Sequence, residues 1–365
     1  MKSVREYFEE QISKSAITGA AYSVSVGDEV IGDGVLGYSD CEYKNPMRRD
    51  SIFRLASMTK PITAVAVMIC RDRGLLDLDA PIGRYLDGFS HGGVGEMSEG
   101  VPTRAGDARE ITMRDILTHT SGLGSGEVGE YQLKRLPLPT SLFQNAMAWR
   151  GKLLDFPTGT KSAYSPIVAF EVAALAVESV AKKPYGEFLE DEIFSRLGMK
   201  DTAYLPNEEQ AKRIVDLPLP DGNGKLTKKD IGLRGYEGFA EGYHGGSAGL
   251  FSTLDDYTAF AKMLAGLGEY NGARILSEEA VREMSLVQFD TWGLGMYVRR
   301  VQNKYQPLPR GSFGWSGAYG THFWVEPKSK TVAVLMLNSY NCGGSASPFS
   351  AAFERLVASR NENKE

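Results

Sequence analysis

Cysteine is scarce: Cys41, Cys70 and Cys342 are the three in 365 residues, and none belongs to a Cys-x-x-Cys pair. So odd and dispersed a set builds neither a disulfide framework nor a zinc site. Histidine numbers four, with no His, Asp or Glu spacing that matches a known ligand set, so no metal is expected. Cationic excess is missing as well. The 41 Lys and Arg face 46 Asp and Glu, a net charge of -5, the reverse of the basic footprint that phosphate neutralisation requires. Long apolar runs are lacking, since the longest candidate, Ile167 to Val177, is broken by Glu171 and falls short of the ~20 residues of a membrane span. Neither nucleic acid nor membrane is an expected partner. A signal peptide needs an unbroken apolar stretch, whereas Glu6, Glu9 and Glu10 fall among Val4, Phe8 and Ile12 at helical spacing. The opening reads as an amphipathic helix, and with the unpaired thiols it points to a reducing, cytoplasmic setting.

What is present is ordinary globular material, 42% hydrophobic and 24% charged, in a chain long enough for about two structural units. Tyr22, Val24 and Val26 alternate with small polar residues ahead of Gly27-Asp28-Glu29, and a second strand-like run follows from Val30 to Tyr38, which predicts a hairpin. Ser57 to Gly74 turns helical, and Pro61, tolerated only in a first turn, puts Ser57 at the helix start. His91 to Glu110, rich in glycine, proline and charge, reads as a long exposed excursion. Helical periodicity then dominates until Leu294, after which strands are expected over Gly295 to Val301, Phe313 to Val325 and Thr331 to Asn338, followed by a last helix. Strands at both ends with helices between predict an α+β chain: residues 1–78 and 290–365 share an antiparallel sheet flanked by helices, and residues 79–289 form an inserted, mostly helical domain.

Three short stretches carry chemistry. Ser57-Met58-Thr59-Lys60 places a hydroxyl and an amine one helical turn apart, at the positive end of a helix dipole. Taken alone it is equally an N-cap serine beside a solvent-facing lysine. Tyr164-Ser165-Pro166 lies in a loop just ahead of a helix, where a phenol can project into a cleft. Trp315-Ser316-Gly317-Ala318 opens a late strand whose glycine would let a substrate lie alongside it. Separately, a core tyrosine and a common bulge explain the last two.

Together, in this order and spacing, the three resemble the signatures of the serine β-lactamase and penicillin-binding protein superfamily, most closely the class C β-lactamase-like carboxylesterases. Phe53-Arg54-Leu55-Ala56, Ile116 to Leu123, Ile193 to Thr202 and Gly245 to Asp255 agree with it. The resemblance implies a β-lactamase/transpeptidase-like fold and a serine hydrolase needing no cofactor. Ser57 would be acylated, with Lys60 and Tyr164 as the hydrogen-bonded pair that moves its proton. The Ser57 and Ala318 amides would form the oxyanion hole, and Trp315, Ser316 and Gly317 would line the substrate.

Two departures narrow the substrate. Pro166 stands where the β-lactam-active relatives usually carry an Asn that contacts the acyl amide. Trp315 replaces the usual Lys that attracts a carboxylate, and an indole suits a neutral group better than a charge. A small carboxylic ester is therefore the expected substrate, with weak β-lactamase activity. The alternatives are a D-aminopeptidase or amidase, an acyltransferase, or a non-catalytic binder of acylated ligands.

One decoy competes. Gly245-Gly246-Ser247-Ala248-Gly249 fits the G-x-S-x-G elbow of α/β-hydrolases, with Asp255 or Asp290 and then His322 in chain order. The elbow needs a buried apolar strand before its serine, and Tyr236 to His244 is not one. Gly124 to Gly129 matches a dinucleotide fingerprint by letter only, with no strand before it and prolines after. Among the histidines, His119 reads as a structural hydrogen-bonder, His91 as exposed, and His244 and His322 as candidates for the cleft wall.

Overall fold

The computed structural model describes residues 2–340, 344 and 347–361, so Cys342 lies outside the described residues. Its centre is one antiparallel sheet. Strands β1 (Gly19–Val26) and β2 (Glu29–Gly37) come from the N-terminal end, and β3 (Tyr297–Val298), β4 (Phe313–Ser316), β5 (His322–Glu326) and β6 (Thr331–Met336) from the C-terminal end. The order is β3-β4-β5-β6-β1-β2, and β6 pairs with β1 from Ala21↔Met336 to Val26↔Thr331. The two ends of the chain thus share one sheet. All of β6 is buried, because helices cover both faces and leave no side of this strand to water.

Helices α1 (Val4–Ser13) and α5 (Pro348–Asn361) cover one face. A capping box between Ser3 and Glu6 starts α1, and its Phe8 joins Tyr22, Trp324 and Phe353 in an aromatic cluster with ring centroids 5.1 to 6.4 Å apart. On the other face α4 (Leu254–Ala265) packs against β6, β5 and β1, and behind it α2 (Thr59–Asp72) packs against α3 (Ala169–Ala181). Tyr257 and Phe260 of α4 meet Phe323 of β5 edge-on, while α2 is buried over twelve consecutive residues, Thr59 to Cys70. A helix apolar all round belongs in an interior.

Three expectations change. Phe313 to Val325 is two strands rather than one, because the chain turns at Gly317 to Thr321, where Gly320 takes φ +101°. His91 to Glu110 contains a hairpin, Val94–Ser98 against Val101–Gly106. Its two-residue turn, Glu99-Gly100, has positive φ at both positions, the conformation that suits a tight hairpin. His91 is not exposed: its side chain is 7% accessible, with Nδ1 accepting from the Gly93 amide and Nε2 against the Arg109 carbonyl.

Side chains tie the sheet to the segment before Ser57: Thr321, just ahead of β5, donates to the Leu55 carbonyl at 3.1 Å. Asn338, just past β6, accepts from the Arg54 amide at 3.0 Å and donates to the Arg54 carbonyl at 3.2 Å. Both groups are buried. Asn338→Ala leaves them unpaired and should cost about 1–3 kcal/mol, read as a lowered urea midpoint with unchanged m-value.

Candidate active site

The chain reaches Ser57 under constraint. Phe53–Arg54 pairs with Phe251–Ser252 in a short ladder, and the buried Arg54 guanidinium donates to the carbonyls of Val215, Gly232 and Arg234. With no carboxylate bonded to it among the described residues, burial pulls the Arg54 pKa down to about 10. Ala56 then adopts φ +45°, a left-handed conformation that costs a residue with a Cβ roughly 1–2 kcal/mol. This bend leads into a 3-10 turn, Ala56–Met58, that runs straight into α2. Ser57 is partly exposed within this otherwise buried stretch.

Three of the predicted site residues meet at its hydroxyl. Lys60 Nζ lies 3.3 Å from Ser57 Oγ and Tyr164 Oη lies 2.8 Å from the same atom. Lys60 and Tyr164 are not hydrogen-bonded to one another, contrary to expectation: the amine stands 5.0 Å from the Tyr164 ring centroid, and the two share only the serine oxygen. Lys60 is wholly buried. Its remaining donors go to the carbonyls of Pro166, at 2.6 Å, and Ser247, at 3.0 Å. Pro166 has no side-chain donor or acceptor, yet its backbone oxygen is the shortest contact of the amine.

Two neighbours of this cluster, Glu171 and Trp292, were not singled out from the sequence as site residues. Glu171 of α3 is fully buried and accepts from the Ser247 amide, the Ser247 hydroxyl at 2.6 Å and the Tyr243 hydroxyl at 2.7 Å. Burial raises its pKa above the usual carboxylate value, against the pull of these hydrogen bonds. Trp292 stacks parallel to Tyr164 at 6.2 Å and packs on Trp315 at 4.8 Å. His119 lies 4.8 Å from the Tyr164 ring, and its Nδ1 accepts from the Ser165 amide, the structural role expected of it. Burial first, then the charge of Lys60, hold His119 well below the usual histidine pKa, so the ring is neutral. No local motif announces Trp292; a tryptophan in a glycine-flanked loop was the one available sign.

The third stretch divides. Trp315 faces the site, 5.3 Å from the Tyr164 ring. Ser316 does not: it follows Trp315 on a strand, points to the opposite face, and is bonded to His322. A Cβ on Gly317 would stand 2.2 Å from the Leu55 carbonyl oxygen, so this glycine brings the end of β4 against the nucleophile turn. The Ala318 amide has no hydrogen-bond partner among the described residues, and Ser57 lies in the first turn that opens at Ala56, where amides lack internal partners. Both N–H groups are thus free to bind an anionic oxygen.

The decoy elbow fails on geometry. Ser247 is wholly buried with its hydroxyl committed to Glu171, Asp255 pairs with Arg49, and His322 lies with Ser316 and Glu354. His244 stacks on Tyr204; neither it nor His322 is bonded to Ser57, Lys60 or Tyr164.

The Beta-lactamase family model matches residues 4–347. The chain belongs to that family. It is 28% identical to Esterase EstB of Burkholderia gladioli over 97% of this chain and 94% of the esterase. It is also 29% identical to Protein Rv1367c of Mycobacterium tuberculosis, over 88% and 86% of the two chains. Among solved structures, EstCE1, a hydrolase with promiscuous acyltransferase activity, superposes with a TM-score of 0.77 at 22% identity, covering 97% of each chain. The β-lactamase/transpeptidase-like fold follows, and the chain is a serine hydrolase of that fold. No helix among the described residues is long and apolar enough to cross a membrane.

Glu171 supplies a test. In the unfolded chain it ionises near 4.5, but the folded protein holds its proton to higher pH. Folding is therefore disfavoured progressively as pH rises from about that value through the folded pKa. Glu171→Gln should lack this downward slope when urea midpoints are compared across the range, whatever its baseline stability.

Proposed function

We propose that the protein hydrolyses small, uncharged carboxylic esters through an acyl-enzyme on Ser57. The observation that carries this reading is the Ser57 oxygen in contact with both Lys60 Nζ and Tyr164 Oη. Lys60 and Tyr164 together receive the serine proton as Ser57 attacks the ester carbon, and return it to the departing alkoxide. The negative oxygen that develops binds the amides of Ser57 and Ala318, each worth on the order of 10² to 10³ in rate. A water activated by Tyr164 then releases the acid. Histidine has no part in this sequence.

Substrate preference follows from the surroundings. Trp292 and Trp315 form an aromatic wall beside Tyr164, and a groove of about 370 Å³ runs from Tyr164 past Gly124, Leu133, Ile167 and Val168. An apolar acyl or alkoxy group fits such a lining, whereas a carboxylate would lose its hydration there without finding a cation. The likeness to EstB over nearly the full length of both chains supports an ester over an amide.

Ser57→Ala should abolish the burst of p-nitrophenol from p-nitrophenyl acetate or butyrate. Lys60→Ala and Tyr164→Phe should each lower kcat by about 10² or more with little change in thermal stability. Near wild-type turnover in either would overturn the proposed proton path. Nitrocefin should be turned over far more slowly than these esters, and faster cleavage of the lactam would refute the ester preference.

A further inference from the structure

A second ordered set of polar side chains lies on the opposite face of the sheet, beneath α5. Ser316 Oγ is 2.7 Å from His322 Nδ1, and His322 Nε2 is 3.1 Å from Glu354 Oε1. Arg299 donates to both Glu354 oxygens, at 2.6 and 2.7 Å. Ser316, His322 and Glu354 are each no more than 5% exposed. Burial alone would raise the Glu354 pKa, but its hydrogen bond to His322, with the charge and hydrogen bonds of Arg299, outweighs it, and the carboxylate stays ionised. An ionised acceptor at Nε2 fixes the imidazole proton there and leaves the Nδ1 lone pair aimed at the Ser316 hydroxyl. The order is nucleophile, base and orienting carboxylate, with the two ring nitrogens exchanged relative to the usual serine triad.

A mere packing network would not need room beside the serine, and here there is room. A cavity of about 140 Å³ is bounded by Ser316, His322, Glu354, Ser312, Leu308 and Trp324. Ser312 Oγ, on this wall, is fully buried and has no partner among the described residues. A hydroxyl stranded in that way costs roughly 1–3 kcal/mol, which a polar atom of an occupant would relieve. The cavity is close to the ~150 Å³ that holds one benzene ring, and Arg299 and Glu354 cancel in charge, so the occupant is small and uncharged.

We propose that this cavity is a second acyl-accepting site, in which Ser316 attacks a short neutral ester while His322, held by Glu354, takes its proton. The bond from Ser316 Oγ to the acyl carbon forms as the bond from that carbon to the alkoxy oxygen breaks. The proton passes through His322 Nδ1 to the departing alkoxide, leaving an ester on Ser316 and a free alcohol. This step does not depend on Ser57.

Methanesulfonyl fluoride, small enough for the cavity, tests it: the serine oxygen bonds to sulfur, fluoride leaves, and the proton goes through His322 to solvent. The full-length Ser57→Ala protein is treated with excess reagent under mildly alkaline conditions and read by intact mass and peptide mapping. One methanesulfonyl group on Ser316 is expected, absent from the Ser57→Ala, Ser316→Ala double variant and slowed about tenfold or more by Glu354→Gln. An unmodified Ser316 in the Ser57→Ala protein overturns the proposal, as does modification at a rate indifferent to Glu354. Because Ser57 is absent from the test, an inactive first site leaves this result unaffected.

Discussion

A lysine amine sealed from water, with no carboxylate bonded to it among the described residues, is the constraint around which the site is built. Something must solvate Lys60, and backbone does: the carbonyls of Pro166 and Ser247 take two of its hydrogens, which leaves its remaining direction to the Ser57 oxygen. Each carbonyl fixes a segment. Pro166 is two residues from Tyr164, so holding its oxygen on the amine also sets where the phenol stands. Ser247 is clamped in turn by Glu171, which takes both its amide and its hydroxyl. A carboxylate placed directly on the amine would have bound it more strongly and left it less free to exchange a proton with the serine.

Much of this was legible in the primary structure, and the unreadable part has a common cause. Ser57 and Lys60 announce themselves because side-chain chemistry at helix spacing is a sequence property, whereas Tyr164 is found through the resemblance that joins the three stretches. The task of Pro166 belongs to its main-chain oxygen, and every residue has one. The same holds for Ser247, whose surrounding glycines imitate a nucleophile elbow although its contribution to the site is a carbonyl. Strand limits were misjudged where apolar letters continued through a turn. Phe313 to Val325 has no proline to mark the break, and Gly317 was read as substrate-facing rather than as the start of the reversal.

Alternation along β4 accounts for the most consequential misplacement. Neighbouring strand residues look in opposite directions, so Trp315 and Ser316 cannot both line the same cleft. The tryptophan takes the side of Tyr164 and Trp292, and the serine goes to His322 beneath α5. A polar residue on the cleft side is thereby replaced by an aromatic wall, and the chemistry of the pocket follows from which of two adjacent letters turned inward.

The three central groups stand on two separate pieces of chain. Ser57 and Lys60 belong to a single turn of chain, fastened to the sheet through Asn338 and to β4 through the close approach of Gly317. Tyr164 sits on a separate connecting loop, held by ring contacts with His119, Trp292 and Trp315, by the bonds of Ala163 and Ser165 to His119 and by the carbonyl two residues on. Any shift between those two pieces alters the distance from phenol to alcohol, whereas the alcohol and the amine, on their one turn, move together.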